Sequence, residues 1–124
     1  MSLKILVADD EPNIVISLEY LLKREGYTVV IARDGQEAID AIARERPDLV
    51  LLDVMMPKKT GFEVCQEVRA NEALQATKIL MLTAKGRDTD VTKGLGLGAD
   101  AYMTKPFSTH DLVKKVAELL GKSA

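Results

Sequence analysis

Three aspartates, a threonine and a lysine stand where short apolar runs of this sequence stop. LKILVA (3–8) runs into Asp9 and Asp10, followed by Glu11, and DLVLLD (48–53) closes on Asp53. KILMLT (78–83) closes on Thr83, and DAYMT (100–104) runs into Lys105. A fifth run, YTVVIA (27–32), ends in Ala32-Arg33 and brings no matching acid. In open α/β sheets, ligands bind beyond the carboxyl ends of the strands. Read as parallel strands, four of the five runs present a polar group at one edge. Like charges gathered there raise one another's pKa and destabilise the pocket unless a cation joins them. Hard oxygen donors without His or Cys point to Mg²⁺ rather than zinc. Such an ion keeps positions open for water and phosphate oxygens, and the lysine and hydroxyl suit a phosphoryl group. The chemistry is phosphoryl transfer, with a carboxylate able to act as nucleophile through an aspartyl-phosphate.

The elements that must position these groups can be read from the same pattern. Four of the five runs are continuously apolar, as befits strands buried on both faces of a parallel sheet. Between the first two, Ile14, Leu18, Leu21 and Leu22 form a helical stripe ending at Gly26, a C′ residue. Asp34 with Glu37 reads as a capping box for a second helix that stops before Pro47, and Thr60 with Glu63 for a third. The third turns Phe62, Cys65 and Val68 inward. Ser108 with Asp111 opens the last helix, whose stripe is Leu112, Val116, Leu119 and Leu120. A fourth helix within 87–97 carries Gly94 and Gly96, with Gly98 near its end, each interior glycine costing ~1 kcal/mol relative to Ala. Those glycines mark either an element that can shift or a site of close packing. Five strands alternating with five helices make an α/β fold with helices on both faces.

Composition narrows the function classes. With 124 residues, one domain is expected. The net charge of −2 argues against a protein that neutralises many phosphates by itself, and 4% aromatics without Trp against base stacking. One cysteine excludes an internal disulfide and fits a reducing compartment, and the N-terminus is no signal peptide or membrane span. The expected location is the cytoplasm. Residues 1–57 hold six Lys/Arg against eleven Asp/Glu, a net of −5, while residues 58–124 hold eleven against eight, a net of +3. The excess acid lies in the half that contains Asp9, Asp10 and Asp53. Cys65 reads as core, His110 as a surface residue and Lys58-Lys59 as a solvated turn.

ILVADDEP, LVLLDVMMPKKTGFE, ILMLTA and GADAYMTKPF together resemble the receiver domain of two-component response regulators, of the chemotaxis-regulator type. The resemblance covers essentially all of 1–124, as one receiver domain. It implies a doubly wound, flavodoxin-like parallel sheet of five strands in the order 2-1-3-4-5. It also implies roles. Asp53 would be the phosphoacceptor, attacking the phosphohistidine of a sensor histidine kinase or phosphotransfer protein. Asp10, Asp53 and the backbone carbonyl of Met55 would bind Mg²⁺, with Asp9 acting through water. Lys105 would pair with the phosphoryl oxygens, Thr83 would donate its hydroxyl to them, and Tyr102 would rotate with Thr83. The Lys105-Pro106 bond would be cis. Met55 and Lys85 would flank the path of a hydrolytic water, and their chemistry suggests a long-lived phosphoryl state. The fourth helix, fifth strand and fifth helix would form the switching face.

Three other readings compete. A haloacid-dehalogenase-like phosphatase needs an aspartate two residues after its nucleophile, where this chain has Met55. A flavodoxin would place a flavin phosphate against Asp9 and Asp10, which would repel it. A pseudo-receiver would lack site residues that are all present here. The output is a downstream effector protein or an output domain removed from the chain; direct contact with nucleic acid or membrane is not expected. Asp100, Asp111 and Lys115 lie on a face through which related regulators dimerise, but Ala101 replaces a second acid, so a monomer or weak dimer is expected. GKSA after Leu120 reads as a frayed tail or the start of a linker.

Overall fold

The computed structural model describes residues 3–84 and 88–121. Five strands, β1 (Lys4–Ala8), β2 (Thr28–Ala32), β3 (Leu49–Asp53), β4 (Lys78–Ala84) and β5 (Ala101–Lys105), form one sheet in the order β2-β1-β3-β4-β5. Every pairing is parallel. Each strand is followed by a helix: α1 (Pro12–Arg24), α2 (Gly35–Glu45), α3 (Gly61–Ala70), α4 (Asp88–Gly96) and α5 (Thr109–Leu119); a 3₁₀ turn (Glu72–Leu74) precedes β4.

The continuous apolar runs follow from a core on both sides. Alternate residues of one strand point to opposite faces. Leu6, Val50, Leu52 and Met81 pack with Ala38 and Ile42 of α2 and Val64 and Cys65 of α3. Their neighbours Ile5, Val7, Leu51 and Leu80 pack with Leu18 and Leu22 of α1 and Leu112 and Val116 of α5. β2, which carries no site acid, is an edge strand, as its sequence suggested.

The helix ends are built as the sequence implied, with one difference. Gly26 has φ 94, and the N–H groups of Gly26 and Tyr27 return to the carbonyls of Lys23 and Leu22, closing α1 in a Schellman motif. Thr60 and Glu63 form a reciprocal capping box. At α2 only half the box forms: Asp34 accepts the Glu37 N–H at 2.8 Å, but the Glu37 carboxylate turns to the N–H of Arg33 instead.

The glycines of α4 divide by role. A Cβ on Gly94 would stand 3.4 Å from the Met81 side chain, so this position packs closely on the sheet. Gly98, at φ 109, is the C′ residue, its N–H bonding to Leu95 and that of Ala99 to Gly94. Gly96 faces open space. Arg69, at the end of α3, ties the far edge of the sheet together. It donates to the carbonyls of Gly98 and Thr77, each at 2.8 Å, and pairs with Asp100 at 2.8 Å. Asp100 also accepts the Ile79 N–H at 2.7 Å, so this acid of the supposed dimer face is engaged within its own chain.

Candidate functional site

The carboxyl ends of the strands bring the sequence candidates together. Asp9 and Asp10 follow β1, and Asp53 is the last residue of β3, the strand beside it. One oxygen from each of the three carboxylates lies within 4.8 Å of the others. Asp9 and Asp53 are buried while Asp10 is exposed, so the cluster opens to solvent on one side. Lys105, at the end of β5, reaches across it, with Nζ 2.9 Å from Asp9 Oδ2 and 3.4 Å from Asp53 Oδ1. The Lys105-Pro106 peptide is cis, as expected.

Charge and burial oppose each other here. Burial raises the Asp53 pKa to about 6, and the neighbouring Asp9 charge adds to the rise against the pull of Lys105 and the Met55 N–H. Burial also works against the Lys105 ammonium, but its bond to Asp9 and the charges of Asp53, Asp9 and Glu11 prevail and leave its pKa raised. Hard carboxylate oxygens in such a group, without His or Cys, fit a small hard cation such as Mg²⁺.

The remaining candidates sit at different depths. In the register of β3 with β4, Asp53 faces Leu82, and Thr83 comes one residue further along. Thr83 is 1% exposed, and its hydroxyl bonds to no described group. The Met55 side chain is exposed, while its N–H reaches back to Asp53 Oδ1 at 3.4 Å. Tyr102, on β5, is 45% exposed. It lines a recess of about 580 Å³ with Leu95 of α4 and Lys115 of α5. Lys85 and the tail after Gly121 lie outside the described residues.

Two kinds of site residue went unassigned at the level of sequence. Glu11 follows the aspartate pair, and its carboxylate comes to 3.5 Å from Lys105 while its N–H bonds Asp9 Oδ1 at 2.9 Å. Its place beside the pair was the available signal. Gly61 is the other. A Cβ there would collide with the carbonyl oxygen of Asp53 and stand 3.0 Å from its carbonyl carbon. Only glycine lets α3 start that close to the backbone of the central acid. Lys58 and Lys59, read as a solvated turn, are each paired, with Asp34 at 3.5 Å and Glu67 at 2.7 Å.

A sheet in this order with acids gathered at its carboxyl edge defines a class, and comparison with known proteins agrees. Residues 5–117 match the family model described as the response regulator receiver domain, and the chain belongs to that family. It is 50% identical, over 123 residues, to the alkaline phosphatase synthesis transcriptional regulatory protein PhoP of Bacillus subtilis (strain 168). The match takes in 99% of this chain and 50% of that protein, so the chain spans about half the length of this relative. Among solved structures, chemotaxis response regulator CheY4 of Vibrio cholerae is similar, with a TM-score of 0.90 and 34% identity over 96% of this chain and 99% of that one. The receiver domain of sensor histidine kinase PA1611 from Pseudomonas aeruginosa PAO1 also has a TM-score of 0.90, with 30% identity over 98% of this chain and 100% of that one. That protein was crystallised with a magnesium ion coordinated in its active site cleft. Among the described residues no helix is long and apolar enough to cross a membrane.

Proposed function

We propose that this chain is a phosphorylation switch that takes a phosphoryl group onto Asp53 from a sensor histidine kinase or phosphotransfer protein. The observation that carries this reading is the meeting of three carboxylates within 4.8 Å, with Lys105 3.4 Å from Asp53. Asp10, Asp53 and the Met55 carbonyl would hold Mg²⁺ directly, and Asp9 through water. When bound, the ion neutralises the crowded carboxylates and the incoming phosphoryl oxygens.

An Asp53 oxygen attacks the phosphorus of a phosphohistidine. The P–O bond forms as the P–N bond breaks, and the imidazole nitrogen leaves with the electron pair and takes up a proton. Lys105 offsets charge on the phosphoryl oxygens, and the Thr83 hydroxyl donates to one of them. Tyr102 turns with Thr83, which biases the face of α4, β5 and α5 between two states. Attack by water later returns free Asp53 and inorganic phosphate.

Residues 1–124 act as one receiver unit, whose output is a downstream effector or an attached output domain. The engagement of Asp100 by Arg69 supports a monomer or weak dimer. The net charge of −2 supports a unit that does not itself grip nucleic acid, and the single cysteine supports the cytoplasm. Acetyl phosphate with Mg²⁺ should label the wild-type protein, and Asp53→Ala should reduce labelling to background. Persistent labelling of that variant would overturn Asp53 as acceptor.

A further inference from the structure

The loop that carries Met55, residues 54–60, is held from two directions. At its base the Gly61 N–H bonds the Val54 carbonyl at 2.9 Å, and the Val54 N–H bonds Leu82 at 3.2 Å. At its tip it rests on the first turn of α2. The Pro57 carbonyl accepts the Lys59 N–H at 2.8 Å and, from α2, the Gly35 N–H at 3.2 Å. Lys58, between them, takes φ 68 and pairs with Asp34, the cap of α2.

Gly35 is the informative residue. Its φ is not positive, so its backbone conformation is open to any residue. Helix capping does not need it either, because the Asp34 side chain supplies the cap. The loop alone calls for it: a Cβ on Gly35 would collide with the Lys59 carbonyl oxygen and lie 2.5 Å from Lys59 Cβ and 2.6 Å from the Lys59 carbonyl carbon.

The geometry points to Asp34 and Gly35 as positioning residues for the metal site. They fix the tip of the loop and thereby where the Met55 carbonyl stands relative to Asp53. This deepens the proposed function and rests on its assignment of that carbonyl to Mg²⁺. Gly35→Ala forces the loop off α2 and misplaces the carbonyl without touching a carboxylate or Lys105.

The test titrates the unphosphorylated protein with Mg²⁺ by calorimetry and follows labelling by acetyl phosphate across Mg²⁺ concentrations. Gly35→Ala should bind Mg²⁺ about tenfold more weakly, as indirect supports of metal ligands do. Its labelling rate should return toward the wild-type value when Mg²⁺ is raised. Gly98→Ala is the control: it strains a φ of 109 and crowds Arg69 Cγ at 2.7 Å, at the opposite edge of the sheet. It should lose stability but keep wild-type Mg²⁺ affinity. Wild-type affinity in folded Gly35→Ala, or an equal loss in Gly98→Ala, overturns the inference. If Gly35→Ala does not fold, Lys58→Gly keeps the positive φ and removes the pair to Asp34. It should weaken Mg²⁺ roughly two- to fivefold, in line with one part-exposed ion pair, and unchanged affinity overturns the inference. A wild-type protein that binds no Mg²⁺ overturns the metal-site reading itself, and this inference with it.

Discussion

On the proposed function, Asp53 and Met55, two residues apart where β3 ends, would set the chemistry of this molecule. The first is buried and reluctant to ionise, with a pKa of about 6; the second leaves its side chain 61% exposed beside it. A thioether offers a weak acceptor and no donor, so Met55 has no strong hydrogen bond with which to orient a water toward the proposed acyl phosphate. An amide supplies one. Met55→Asn should therefore hasten loss of the phosphoryl group roughly two- to tenfold, modest for a positioned hydrogen-bonding group. Following inorganic phosphate release after labelling checks this, and an unchanged or slower rate would contradict it. The aspartates, Thr83 and Lys105 were legible in the sequence because each ends an apolar run, and strand ends share an edge. Gly35 and Gly61 were not. Their need arises where two stretches of backbone meet across the fold, and no local pattern records that meeting.

Helices were legible wherever capping chemistry and periodicity agreed. Thr60 and Glu63 form the box their spacing suggests, and Gly26 ends α1 with a positive φ. Asp34 with Glu37 looks the same in sequence yet closes only one of its two bonds, because the Arg33 N–H claims the Glu37 carboxylate. The spacing of a capping box cannot show which backbone donor its acid will choose. The glycines in and just after α4 differ in what surrounds them. Gly94 packs on Met81, Gly98 supplies the left-handed turn, and Gly96 meets nothing within 4 Å. Gly96→Ala should thus stabilise the protein by about 0.5–1 kcal/mol, through helix propensity and a less free unfolded chain. Urea denaturation measures it, and a lower midpoint would show a contact at this position that the fold does not reveal.

At the scale of the whole molecule, a sheet with a core on each face was readable from four continuously apolar runs, since alternating runs would have left one face wet. The pairing of Arg69 with Asp100 was not readable, because it joins segments whose approach only the completed sheet defines. Global stability carries the mark of the site. A carboxyl whose folded pKa is raised from 3.8 to about 6 holds its proton more tightly folded than unfolded. Asp53 therefore contributes stability to the metal-free protein that is lost as pH rises from about 4 through 6, with no further loss from this group above that. Asp53→Asn removes the burden and should be more stable at pH 7, by on the order of 1–2 kcal/mol after allowance for solvent screening at the open side of the cluster. That advantage should shrink toward pH 4. Denaturation of both proteins at the two pH values decides it, and an advantage unchanged between them would remove Asp53 as the cause.

On the proposed mechanism, one atom would give the switch its direction. Recruiting a group that is already bonded means breaking one interaction to make another, and the net gain is small. The buried Thr83 hydroxyl has no such bond to surrender among the described residues. On the proposed mechanism, a charged phosphoryl oxygen at Asp53 gains its donor at close to full worth, roughly 1.5–3 kcal/mol. That is about tenfold or more in an equilibrium constant. On that mechanism the preference would exist only once the acceptor arrives, and the phosphorylated arrangement would be the more decided of the two.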